Sequence, residues 1–162
     1  MNLSLKFLVD SMHGYVARWL RIMGYDTVYL NNSVKDNEAV RLASEGRILI
    51  TSDIELAKRA EAQGVLVVMV KGLSEQEVLR ILVERFNLIF REDSLRCTVC
   101  NGELKTIGLN EVFSMIGFVP RGVEKFWKCK SCGKVYWKGS HWRNISRQIS
   151  RLVANGQADT TV

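Results

Sequence analysis

The chain has 162 residues, of which 47% are hydrophobic and 25% are charged, and its formal net charge is +6. This balance is typical of a globular protein that buries its core in one medium-sized domain or two small ones. The longest apolar runs fall short of the ~20 residues that a membrane-spanning helix needs, and the first residues lack the long apolar segment of a signal peptide. We therefore expect a cytoplasmic protein without a membrane anchor, in which cysteines stay reduced.

Strand-like and helix-like segments alternate through the first half of the chain. Short apolar segments, predicted to be strands, lie at 5–9, 27–30, 47–50 and 65–70. Segments with apolar residues at helical spacing, predicted to be helices, lie within 12–26 and at 36–46, 54–64 and 74–86. Apolar strands separated by amphipathic helices predict an α/β fold whose parallel sheet is covered on both faces. The glycine patterns of dinucleotide-binding and P-loop proteins are absent, which argues against both classes.

The charge changes near residues 91–96. Residues 1–93 contain 12 lysines and arginines against 13 acidic residues, whereas residues 94–162 contain 11 against 4, so the second part carries a net charge of +7. We predict an α/β domain over 1–93 and a second, basic unit over 94–162. A folded basic segment favours a polyanionic partner, most often nucleic acid, although a simple contribution to solubility explains the count equally well.

Four cysteines lie in this basic unit, as CTVC at 97–100 and CKSC at 129–132. Two C-x2-C pairs are typical of a site in which four thiolates hold one Zn²⁺ tetrahedrally. A thioredoxin-like redox pair expects a single C-x-x-C in a βαβ unit, and disulfides are disfavoured in the expected compartment. We therefore predict a small β-rich zinc ribbon in which Cys97, Cys100, Cys129 and Cys132 bind a structural zinc ion.

A C-terminal helix is predicted beyond the ribbon. Ile145, Ile149 and Leu152 define one face, while Arg143, Arg147 and Arg151 lie four residues apart on another. The residues from 157 onward are predicted to form a frayed tail.

Acidic residues follow the predicted strands. Asp10 comes at the end of the first strand, Asp53 follows the third, and Asp36 begins a helix with Glu38 two residues later. Because sites in parallel α/β sheets form at the carboxyl ends of the strands, we expect Asp10, Asp36 and Asp53 to converge if strands one and three are neighbours. Oxygen ligands of this kind suit Mg²⁺ or Mn²⁺. Each aspartate has a simpler alternative role as a helix cap.

The segments FLVDSMHGYVARWLRIMGYDT, KDNEAVRLASEGRILITSD and CTVC…FWKCKSCGKVYWKGSHW closely resemble a family of PIN-like ribonucleases with an appended zinc ribbon, known as the C-terminal domain of the Mut-seven exonuclease. The resemblance extends from Leu5 to about Leu152. It implies a PIN-like sheet, an acidic site for catalytic Mg²⁺ or Mn²⁺, and a role in cutting or binding RNA. Matched by motif, the catalytic positions are Asp10, Asp36 and Asp53, with Glu38 as a secondary acidic residue.

Basic and aromatic residues of both units are candidates for RNA contacts, because single-stranded RNA is bound by cations and stacking rings. The predicted contacts are Arg18, Lys128, Lys130, Lys138, Arg143 and Arg147. Arg21 is expected on a solvated face, His13 as a polar lining residue near Asp10, and Trp142 as a residue that docks the ribbon onto the sheet.

These observations together predict a metal-dependent endoribonuclease that hydrolyses single-stranded RNA at the acidic site. An RNA-binding module without cleavage activity is the main alternative. A protein-interaction adaptor whose ribbon contacts another protein is a more remote one.

Overall fold

The computed structural model describes residues 5–157, apart from the side chains at positions 141, 153 and 155–157. Most of the predicted tail and the side chain of His141 therefore lie outside the described part of the chain. The predicted order of strands and helices is confirmed through the first half, with boundaries that shift by a few residues.

Four parallel strands form the first sheet, in the order β2-β1-β3-β4. These strands are β1 (Lys6–Val9), β2 (Asp26–Tyr29), β3 (Ile48–Thr51) and β4 (Val67–Met69). The helices that follow them are α1 (Gly14–Ile22), α2 (Asp36–Ala43), α3 (Ile54–Ala62) and α4 (Glu75–Phe86). Strands β1 and β3 are therefore neighbours, which is the arrangement that the prediction for the acidic residues required.

Both faces of this sheet are buried, because successive side chains of a strand point to opposite sides. Phe7 and Val9 of β1 pack with α1 and α4 on one face, and Leu8 packs with α2 and α3 on the other. Strand β3 alternates in the same way and has no exposed side chain. This explains why the central strands β1 and β3 are almost entirely apolar.

The second sheet is antiparallel, and the cysteine segments lie before its first strand and at the end of its second strand. Its strands, β5 (Leu104–Ile107), β6 (Phe126–Cys129) and β7 (Val135–Trp137), pair in sequence order. An eight-residue helix, α5 (Leu109–Ile116), separates β5 from β6. The sequence analysis missed this helix, because its apolar residues lie on both its buried side, at Val112, and its exposed side, at Leu109 and Phe113.

The last helix, α6 (Ser140–Gln157), returns to the first sheet and packs against α4. Ile149 is buried in the core shared with α1 and α4, while Ile145 and Leu152 pack at its edge. Trp142 stacks on Trp127 of β6 with ring centroids 5.7 Å apart. It also lies 6.0 Å from the ring of Phe90, so it docks the ribbon as predicted. Among the described residues, no helix combines the length and apolarity needed to cross a bilayer.

Candidate active site and metal centre

Asp10 lies directly beyond the carboxyl end of β1, where its backbone N–H still donates to Ile50 of β3. Its carboxylate is half-buried and accepts two short hydrogen bonds. One comes from the N–H of Ser11 at 2.6 Å and the other from the hydroxyl of Thr51 at 2.7 Å. The capping alternative does not apply to this side chain, because α1 begins without a side-chain cap.

Thr51 links the two predicted aspartates at the ends of β1 and β3. Its hydroxyl donates to Oδ2 of Asp10 and accepts the backbone N–H of Asp53 at 2.9 Å. The side chain is fully buried, so the bridge is protected from water. Sequence reasoning overlooked Thr51, although its place in TSD, at the last position of a buried strand, was a usable signal.

Asp53 caps helix α3, which is the simpler alternative that the sequence offered for this residue. Its Oδ1 accepts the N–H groups of Glu55 and Leu56 at 2.8 and 3.1 Å, while Oδ2 takes no part in the cap. The residue is exposed, so the second oxygen faces solvent. A carboxylate of this kind can cap the helix and still offer an oxygen to another ligand.

Asp36 and Glu38 lie in the first turn of α2 and are each paired with an arginine. Asp36 lies 3.3 Å from Arg59 of α3, and Glu38 forms a two-point ion pair with Arg41 on its own helix. All four side chains are largely exposed, so these pairs contribute little to stability. Asp36 therefore lies against α3 and Glu38 points along α2.

Thr51 thus links the carboxylate of Asp10 to the backbone N–H of Asp53, and Asp36 lies beside Arg59 of the helix that Asp53 caps. Within residues 5–157, only the four cysteines bring three or more metal-ligating atoms within 4.8 Å of one another. The carboxylates of Asp10, Asp36 and Asp53, at what we call the acidic edge, therefore do not form a compact group of three ligands. An all-oxygen donor set still suits Mg²⁺, which is commonly held by one or two carboxylates together with water and substrate phosphate.

His13 lies behind this edge and connects the same two strand ends. Its Nε2 is 2.8 Å from the hydroxyl of Ser52, and the side chain is only 6% exposed. Its Nδ1 is buried and has no hydrogen-bond partner among the described residues. His13 is therefore more buried than we expect for a residue that lines a pocket beside Asp10.

The four cysteine sulfurs form a compact group with no disulfide among them. The Sγ atoms of Cys97 and Cys132 lie 3.6 Å apart, and those of Cys100 and Cys129 lie 3.4 Å apart. Four sulfurs at 2.3 Å from one tetrahedral ion would be about 3.8 Å apart, so the group fits such an ion closely. The cysteines can therefore bind a metal such as zinc.

The pKa values of Cys97 and Cys100 are shifted in opposite directions by their surroundings. Burial raises the pKa of Cys97, but the hydroxyl of Tyr136 and the N–H groups of Cys100 and Val99 outweigh it and lower that pKa to about 6. Burial and the neighbouring sulfurs raise the pKa of Cys100. Thiolates this close repel one another, and a bound cation relieves that repulsion.

Gly102 allows the two cysteine segments to approach. A Cβ atom at this position would lie 2.7 Å from Sγ of Cys129 and 2.7 Å from the hydroxyl of Ser131. Both distances are far inside van der Waals contact, so only glycine fits.

Two polar side chains fasten the first cysteine segment to the α/β sheet. Arg21 is 7% exposed and its guanidinium donates to the carbonyls of Thr27 and Thr98, both at 2.9 Å. Asn101 accepts the N–H of Thr27 and donates to Asp26 at 2.7 Å. The expectation that Arg21 is solvated was wrong, because the ribbon covers this face of α1. Burial lowers the pKa of Arg21 without preventing its ionisation.

The predicted RNA contacts fall into two groups. Three lysines are paired with glutamates: Lys128 with Glu111, Lys130 with Glu103 and Lys138 with Glu92. Three arginines, Arg18, Arg143 and Arg147, are exposed. Arg18 lines a groove of about 230 Å³ between α1 and α6, together with Tyr15 and Asn144. Of the tryptophans in the second sheet, Trp127 is buried and Trp137 is 37% exposed.

The fold and the cysteine group together define a mixed α/β protein with a helix-covered parallel sheet and a zinc-ribbon-like second sheet. A family model described as the Mut7-C RNAse domain matches residues 5–149, and the chain belongs to this family. The predicted family is therefore confirmed. Membership indicates a nuclease or RNA-related role, with RNA as the substrate class. No curated protein and no solved structure gave a significant match.

Proposed function

We propose that the protein is a metal-dependent endoribonuclease that cleaves single-stranded RNA at the carboxyl edge of its parallel sheet. The observation that carries this proposal is the Thr51 bridge, which holds the carboxylate of Asp10 beside the backbone of Asp53 at the ends of adjacent strands. The buried hydroxyl orients the carboxylate of Asp10, a side chain that caps no helix.

Asp10, Asp53 and Asp36 are the residues that would hold Mg²⁺ or Mn²⁺ in this proposal. When bound, such an ion activates water and stabilises the leaving oxygen of a phosphodiester. Asp10 contributes a carboxylate oriented by Ser11 and Thr51, and Asp53 contributes the oxygen that its cap leaves unused. Asp36 reaches the edge by exchanging its exposed partner Arg59, an exchange that costs little.

The ribbon's metal is, in this proposal, a structural Zn²⁺. Four cysteines leave no coordination position for substrate, so the ion serves to fold the second sheet. That sheet and α6 then present cations to the RNA backbone. Arg18, Arg143 and Arg147 are exposed for this purpose, while Lys128, Lys130 and Lys138 would exchange a glutamate for a phosphate.

The RNA-binding alternative is favoured by one observation: Asp53 and Asp36 already have protein partners, at the α3 cap and at Arg59. The two functions differ in an assay of labelled single-stranded RNA with Mn²⁺. We expect cleavage that falls at least 100-fold in Asp10→Asn and Asp53→Asn, while binding persists. Asparagine still caps a helix, so Asp53→Asn tests the chemistry with little change in the fold.

The matched control is Asp93→Asn, which alters an exposed aspartate in the connector between the two sheets. It should cleave like the wild type. Wild-type cleavage in both Asp10→Asn and Asp53→Asn would refute the assigned site. Binding without cleavage by the unmodified protein would establish the binding module instead.

A further inference from the structure

Tyr29 is an exposed aromatic residue adjacent to the acidic edge. It is the last residue of β2 and pairs in register with Val9, the residue before Asp10. Tyr29 is 39% exposed. The ring therefore lies on the α1 side of the strand end that precedes Asp10, with part of its surface open to solvent.

The ring is held in one position from two sides. The hydroxyl of Tyr29 donates to the carbonyl of Ser11 at 2.5 Å. Beneath the ring lies Gly14, where an added Cβ would be 3.2 Å from the tyrosine oxygen and 3.3 Å from Cζ. Gly14 lacks a positive φ, so space for the ring, and not backbone conformation, explains glycine there.

This anchor is connected to the acidic residue through a single amino acid. Ser11 accepts from Tyr29 with its carbonyl and donates its own N–H to the carboxylate of Asp10 at 2.6 Å. The position of the ring is therefore linked to the position of the carboxylate. Because the hydroxyl is already used inside the protein, what Tyr29 offers to a ligand is the face of its ring.

We propose that Tyr29 forms a nucleobase subsite, in which an unpaired base of the RNA stacks on its ring next to the phosphodiester that is cut. This inference rests on the proposed function and names a specific contact for it. Unstacked bases of single-stranded RNA are bound by aromatic rings in this way. A ring that is already fixed loses little conformational entropy on binding, which favours stacking.

The test is equilibrium binding of a fluorescein-labelled RNA octanucleotide to the zinc-loaded 162-residue chain, without added Mg²⁺ or Mn²⁺. Tyr29→Leu keeps apolar volume over Gly14 but removes the aromatic face. We expect it to weaken binding about 5- to 100-fold, the range for loss of one stacked base. Tyr29→Phe keeps the ring and should bind within about threefold of wild type. The control, Phe113→Leu, removes an exposed aromatic ring on α5 and should have no effect.

A structural role for Tyr29 is distinguished by RNAs with one abasic nucleotide at each position in turn. If a base stacks on Tyr29, one abasic position weakens binding by the wild type and has no further effect in Tyr29→Leu. If Tyr29→Leu weakened the binding of every RNA by the same factor, Tyr29 would only support the neighbouring loop, and the subsite would be refuted. Unchanged binding by Tyr29→Leu would refute it as well. Cleavage by the wild type with unchanged Tyr29→Leu binding would refute the subsite alone. The subsite effect without any cleavage would refute the nuclease alone, and no RNA binding by the wild type would refute both.

Discussion

Replacing Arg21 by methionine tests whether the ribbon and the α/β sheet are held together by a buried guanidinium. Arg21 lies on α1 and donates to Thr27 at the edge of the sheet and to Thr98 in the first cysteine segment. A third, longer bond of 3.3 Å reaches the carbonyl of Val99. Methionine replaces the apolar stem but donates to none of these carbonyls.

The expected cost follows from the two short bonds. A hydrogen bond from a charged donor contributes about 1.5–3 kcal/mol, and the carbonyl left behind at Thr27 belongs to a fully buried residue. Burying the guanidinium carries a desolvation cost that offsets part of this gain. We therefore expect the free energy of unfolding to fall by about 3 kcal/mol. With a urea m-value of about 2 kcal/mol/M, the midpoint should fall by about 1.5 M.

Urea unfolding of the zinc-loaded protein, followed by tryptophan fluorescence, measures this change. The control is Arg18→Met, which makes the same substitution at an exposed position on the same helix and should alter stability by no more than about 0.5 kcal/mol. Zinc release to a colorimetric chelator provides a second readout. Arg21 holds the carbonyls of Thr98 and Val99 between two of the cysteines, so release should be faster in Arg21→Met. Equal midpoints for Arg21→Met and Arg18→Met would refute this reasoning.

Two further predictions concern residues in or next to the first cysteine segment. Gly102→Ala should lower zinc affinity at least tenfold in a chelator competition, because its Cβ would contact Sγ of Cys129, whereas Gly108→Ala has open space and should bind zinc normally. An equal affinity in both variants would contradict the packing argument. Burial raises the pKa of Asp26, but hydrogen bonds from Arg47 and Asn101 outweigh it and lower that pKa. Its contribution to stability is therefore complete above about pH 4 and is lost as the pH falls through the lowered value, so Asp26→Asn should approach wild-type stability in acid. A pH-independent gap in thermal unfolding between the two proteins would exclude this linkage.

Several features could be predicted from the sequence because they depend on residues that are close together in the chain. Apolar runs such as 47–50 and helical spacing such as that of 74–86 identify the elements of the parallel sheet. Ser74 and Glu77 form the capping box that starts α4. The two C-x2-C segments predict a shared metal site, since each already places two sulfurs on one turn.

Other features depended on contacts between residues that are distant in the chain. The strand order makes β1 and β3 neighbours, and only then does Thr51 join Asp10 to Asp53. The sequence predicts that Arg21 lies on a solvated helix face, but residues 98 and 99, more than 70 positions away, cover it. No local pattern encodes these contacts, because helical and strand periodicities report which face of an element is apolar and not what covers it.

The sequence alone thus determined the succession of elements, the four cysteines that can bind a metal and the acidic residues at strand ends. The tertiary structure decided which of those residues meet. It paired Asp10 with the strand end that carries Asp53, seated Tyr29 over Gly14, and closed the ribbon onto α1 through Arg21. The physical reason is that periodicity arises within one element, whereas a site arises where several elements pack together.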